Sequence, residues 1–179
     1  MSRAIVGFTG MPGAGKSEAV SIARSLGFEI FSMGDVVREE AIKRGIPLED
    51  SRIGRFATEE RERYGKDIWA KRTADKVKGN FIVIDGIRSI DEVECFRREF
   101  GKDFVLIAIY TKGEERLQRI LRRAREDDVR NMDELENRDE RELGWGIGNA
   151  IAKADIMVVN DSTLEDFRGR VKKMLLKLK

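Results

Sequence analysis

The chain has no histidine and a single cysteine, Cys95, among its 179 residues. Without histidine there is no imidazole base, and one thiol allows neither an internal disulfide nor the Cys/His set of a structural zinc site. The chemistry therefore falls to lysine, arginine and carboxylates. Long apolar runs are also missing. The stretch around Ala4 to Phe8 is far too short for a secretory core or a membrane span, and no later one approaches the length a bilayer needs. A cytoplasmic protein without membrane contact is the expectation. Net charge is nearly absent as well. Thirty-five Lys and Arg stand against 33 Asp and Glu, leaving +2, so no global field draws the chain onto nucleic acid and any basic function has to be local. What is present is 41% hydrophobic and 38% charged residues, which excludes a disordered or low-complexity chain and predicts one folded domain with an ion-pair-rich surface.

Apolar β-rich runs alternate with helical spacing along the chain. Ala4 to Thr9, Phe28 to Phe31, Phe81 to Asp85, Phe104 to Tyr110 and Ile156 to Val159 read as strands, and the near-continuous β-branched character of the third suits a strand buried on both faces. Helical patterns follow each of them. This rhythm predicts an α/β fold: a five-stranded parallel sheet with helices on both faces. Residues 1–179 form one domain, with a helical insertion at about 34–78 and a polar, lid-like segment at about 116–142. Within the latter, Asp127 to Glu142 reads as a mobile connection plus an exposed helix. Phe56, Trp69 and Trp145 read as packing residues.

Gly10-Met-Pro12-Gly13-Ala14-Gly15-Lys16-Ser17 lies between the first strand and the first helix and satisfies the phosphate-loop pattern in full. Its glycines let backbone N–H groups converge on phosphate oxygens, the helix N-terminus adds a favourable dipole, Lys16 bridges terminal phosphates and Ser17 can ligate Mg²⁺. ATP with Mg²⁺ is the expected cofactor pair. A guanine-selecting Asn-Lys-x-Asp is absent, since the nearest sequence, Asn160-Asp161-Ser162-Thr163, lacks the lysine. A GTPase is therefore disfavoured.

Two further segments end strands at the sheet edge where α/β folds bind ligands: Ser32-Met33-Gly34-Asp35-Val36-Val37-Arg38 and Asp85-Gly86-Ile87-Arg88. Arg38 and Arg88 can clamp a second phosphate opposite Lys16. Asp85 is the natural metal or metal-water ligand, and Asp35 is a second carboxylate, a helix cap on the bland reading. Arg116, Arg119 and Arg123 share one helical face, with Arg125 beyond; as a set they suit phosphate, and singly they suit a solvated ion-paired face.

The combination resembles the adenylate kinase and dephospho-CoA kinase group, most closely archaeal adenylate-kinase-related proteins, over essentially the whole chain. The resemblance implies that Arg38 and Arg88 hold the AMP phosphate, that Ser32, Met33, Gly34 and Gly86 line the acceptor pocket, that Arg119 and Arg123 cover donor adenine or the phosphates, and that Arg125 reaches the transferring phosphoryl. It also implies that Asn160 and Asp161 lie against the donor base. Where the family reads the acceptor adenine with a glutamine, this chain offers Asp91 and Glu92, which accept but do not donate. Met33 replaces the usual threonine, and there is no four-cysteine lid. The expected activity is transfer of the ATP γ-phosphoryl to a nucleoside monophosphate such as AMP. The alternatives are a dephospho-CoA-type hydroxyl kinase with Asp35 as base and a low-turnover ATP/AMP-binding regulator. The sequence leaves the oligomeric state open.

Overall fold

The computed structural model describes residues 3–123 and 129–179, with backbone alone at Asp50, Ser51 and Arg123. In chain order the elements are β1 (Ala4–Thr9), α1 (Lys16–Ser25), β2 (Glu29–Ser32), α2 (Met33–Lys43), α3 (Asp50–Tyr64), α4 (Ile68–Ala74), β3 (Phe81–Asp85) and α5 (Ile90–Phe100). A 3₁₀ turn (Gly101–Asp103) then leads to β4 (Phe104–Tyr110), α6 (Gly113–Arg123), α7 (Met132–Gly144), α8 (Ile147–Ala152), β5 (Ile156–Val159) and α9 (Leu164–Leu178). The strands form one parallel sheet in the order β2-β3-β1-β4-β5. The expected five-stranded parallel α/β sheet is the one observed.

Side chains alternate across the sheet, and the two faces bury different helices. Ile5, Ile82, Ile84 and Leu106 pack with residues of α2 to α5 and α8, including Trp69 and Phe96. Val6, Phe8, Val83, Ile107 and Ile109 pack against α1 and against Phe167, Val171 and Leu175 of α9. In the helical insertion, Trp69 is fully buried, donates from Nε1 to the Ala57 carbonyl (3.1 Å) and meets Phe56 edge-on. Beneath it the buried Glu60 carboxylate accepts from Arg44 (2.6 and 3.1 Å) and Arg72 (2.6 Å), tying α2, α3 and α4 together.

The sheet order positions the site. The chain leaves β1 toward β2 but leaves β3 toward β4, so β1 and β3, side by side, send their following loops to opposite sides. A crevice opens at such a reversal. Thr9, at the end of β1, is fully buried and donates from its hydroxyl to the Ile87 carbonyl (3.1 Å), fixing the loop after β1 against the loop after β3.

Of the mobile connection plus exposed helix expected over Asp127 to Glu142, Asp127 and Asp128 lie outside the described residues, and the helix is α7 from Met132 onward, capped by Asn131. It is mostly exposed, but Leu135 and Glu142 are buried. Among the described residues no helix is long and apolar enough to cross a membrane.

Candidate functional site

The phosphate loop is shaped by contacts that only glycine permits. Gly10 has φ +147°, and a Cβ there would collide with the Ile109 carbonyl of the neighbouring strand. Gly15, with φ +111°, caps α1 without a side chain, and a Cβ would stand 2.5 Å from Asn160 Nδ2. The first-turn N–H groups of α1 consequently face the cleft with no side-chain cap, as an anion-binding terminus requires.

A polar frame holds the loop from behind. Asn160 Nδ2 donates to the Ala14 carbonyl (2.9 Å), and the Thr111 hydroxyl lies 3.0 Å from the same carbonyl. Arg119 donates to the Thr111 hydroxyl (2.9 Å) and to the Asn160 carbonyl (2.9 Å). One turn earlier, Arg116 donates to the Pro12 carbonyl (3.0 Å) and forks onto both carboxylate oxygens of Asp139 in α7. Of the arginines read as phosphate ligands, Arg116 therefore braces the loop backbone directly and Arg119 braces the Thr111 and Asn160 that hold it, although Arg119 also lines the cleft.

The cleft, of about 410 Å³, is lined by the loop, Asp85 to Arg88, Arg119, and Arg138 and Glu142 from α7. Lys16 turns its ammonium onto the Gly10 and Met11 carbonyls. Burial pushes its pKa down to about 8, Asp85 and Glu142 oppose this, and Arg88 and Arg138 reinforce it. Asp85 Oδ1 is buried with no hydrogen-bond partner, an acceptor held ready beside Lys16. Among the described residues no group of three or more acidic, Cys or His side chains could cage a metal. Ser17 and Asp85 alone fit an ion that keeps most of its oxygen ligands from water and phosphate, as Mg²⁺ does.

Toward β2, Ser32 pairs in register with Asp85, and a Cβ on Gly86 would lie 3.7 Å from Met33 Cβ, so the N-terminus of α2 abuts the loop after β3. Ser32 caps α2 by accepting from the Asp35 N–H (3.3 Å). Asp35 is therefore not the cap: its exposed carboxylate holds Arg38 at 2.6 Å, and the Arg38 guanidinium folds over Gly34. Neither Arg38 nor Asp35 lines the cleft itself.

Four expected placements differ. Met33 is buried in the core and presents nothing to an acceptor. Glu92 is buried, accepts from the Arg88 and Ser89 N–H groups (2.8 and 3.2 Å) in a capping box and pairs with Arg61 (3.4 Å), so it fixes the Arg88 loop and faces no ligand. Burial pushes its carboxyl above the usual range against those partners. Asp161 is exposed beside Arg170 and does not line the cleft. Trp145, read as packing, is 46% exposed, with the Arg88 guanidinium over its ring at 5.4 Å. Arg125 lies outside the described residues, and the Arg123 side chain likewise.

Residues the sequence reading missed are Thr9, Thr111, Arg138 and Glu142. Leu135, Arg138, Asp139 and Glu142 recur at helical spacing along one face of α7, a signal that apolar periodicity overlooks because three of the four are charged.

A family model described as an AAA domain (AAA_17) matches residues 9–136. A UPF0200 protein of Thermoplasma volcanium is 52% identical over 93% of this chain and 93% of its own. Another, of Methanosarcina mazei, is 45% identical over 96% and 93%. The chain belongs to the UPF0200 family. The fold of this UPF0200 chain is that of P-loop kinases. It aligns with the shikimate kinase of Bacteroides thetaiotaomicron at TM-score 0.68 (15% identity, 98% and 99% coverage) and with a gluconokinase of Sinorhizobium meliloti 1021 at TM-score 0.60 (15% identity, 98% and 93% coverage).

Proposed function

We propose that the protein is a kinase that transfers the ATP γ-phosphoryl to a nucleoside monophosphate such as AMP. The observation that carries this reading is the convergence of Lys16, Ser17, Asp85, Arg88 and Arg119 on one cleft at the β1/β3 reversal, with the α2 N-terminus against the Gly86 loop that lines it. Lys16 and the α1 N–H groups hold the donor phosphates; Arg88, with Arg38, holds the acceptor phosphate. An acceptor phosphate oxygen forms a bond to the γ-phosphorus as the bond to the β,γ-bridging oxygen breaks, and ADP leaves from both sides. That oxygen is already ionised at neutral pH, so no base is required, in keeping with a chain that has no histidine. Mg²⁺, held by Ser17 and through water by Asp85, would neutralise charge on the donor phosphate oxygens.

The test is ADP formation from MgATP with AMP, run beside MgATP with dephospho-CoA. The expected result is ADP from AMP, at least about a hundredfold loss in Lys16→Ala, and about a tenfold rise in the KM for AMP, but not ATP, in Arg38→Ala. Turnover with dephospho-CoA alone would move the acceptor to a hydroxyl, and AMP binding without turnover would make the protein a nucleotide-responsive regulator.

A further inference from the structure

Glu142 has no part in the phosphoryl transfer as written, yet it is buried at 6% exposure inside the cleft that the transfer uses. Its carboxylate pairs with Arg88 Nη1 at 3.3 Å, and Arg88 is fixed on its other side by the Trp145 ring at 5.4 Å. It also acts on Lys16, whose charged form it favours. Arg138, one turn earlier on α7, lines the same wall. A carboxylate is thus seated among the cations a phosphate ester needs, and α7 is held in place to keep it there by the buried Arg116–Asp139 pair.

We propose that Glu142 occupies Arg88 as a stand-in for the acceptor's anionic group, so that acceptor binding is an exchange of one anion for another. This deepens the kinase reading and rests on it for the identity of the acceptor. The exchange sets a threshold of charge that the acceptor must exceed. A dianionic phosphate monoester brings more charge to Arg88 than the carboxylate it displaces, whereas a carboxylate or a phosphate diester brings one charge and gains little. The substrate class selected is a dianionic phosphate monoester, in contrast to small carboxylic acids. Arg88 is 46% exposed at its side chain, so removing its partner leaves it solvated, and the variant Glu142→Gln, nearly isosteric, should fold.

The experiment is calorimetric titration of the wild type and Glu142→Gln with AMP, with the singly charged methyl ester of AMP and with inorganic phosphate, plus the thermal-unfolding shift that each produces. The expected result is that Glu142→Gln binds all three anions about three- to tenfold more tightly, because the cost of vacating Arg88 is common to each, with a gain for AMP at least as large as for its methyl ester. AMP binding unchanged or weakened in Glu142→Gln overturns the proposal, as does a gain confined to the ester or failure of all three anions to bind either protein. The kinase reading fails separately: AMP bound by the wild type without ADP formation removes the reaction while the binding exchange is still measured.

Discussion

Lys16 carries the sharpest consequence at the scale of a residue. In the unfolded chain its ammonium titrates near the ordinary lysine value of 10.5; in the fold, burial brings this to about 8. Between those values the unfolded chain holds a proton the folded one has lost, so this group makes the ligand-free protein more stable as pH rises from about 8 to about 10.5. Triphosphate in the loop reverses the bias, because anionic oxygens beside the ammonium favour its charged form. ATP binding at pH 8 should therefore draw up to about half a proton from solvent, read as a binding enthalpy that varies with the ionisation enthalpy of the buffer. Lys16→Met should abolish that variation. An enthalpy independent of buffer in the wild type would mean that Lys16 is already fully protonated there.

At the scale of an element, the phosphate loop depends on supports contributed by β4, β5 and α6. Asn160 reaches the Ala14 carbonyl from the end of β5, and Thr111 does so from the end of β4. Asn160→Ala should cost about 1–2 kcal/mol of stability by stripping a buried carbonyl of a donor, and should weaken ATP binding severalfold. Asp161→Ala, one residue on but exposed, should stay within about 0.5 kcal/mol of wild type. Equal effects of the two, in denaturant unfolding and ATP titration, would contradict this division. The same elements show how far the sequence could be read. The strands, the loop and the helices between β2 and β3 were legible because each is local: β-branched runs, glycines that the backbone path requires, Trp69 and Phe56 among sparse apolar residues. The side-chain partners of the loop were not, since Thr111 and Asn160 meet Ala14, and Arg119 meets both of them, only when the parallel sheet brings three strand ends together. Glu92 and Asp35 were misplaced for a related reason, because capping geometry and a nearby arginine claim a carboxylate before any ligand can. On α7 the buried stripe is mostly charged, and charge reads as solvent exposure in one dimension.

At the scale of the whole molecule, a net charge of only +2 conceals a strong local division. Lys16, Arg88, Arg119 and Arg138 converge on the carboxyl ends of β1 and β3 with Asp85 and Glu142 among them, while exposed pairs such as Arg38–Asp35 and Arg52–Glu49 are worth little each. The parallel topology creates this convergence, because every strand ends at the same edge and the reversal between β1 and β3 parts the loops there. The central claim is that one cleft holds donor and acceptor phosphates together. Its most direct test is calorimetry with a single molecule that joins ATP and AMP end to end through their phosphates. The account predicts that this molecule binds one to one, far more tightly than ATP or AMP alone, and that it excludes both. Affinity no better than that of ATP, with AMP still able to bind alongside, would contradict it.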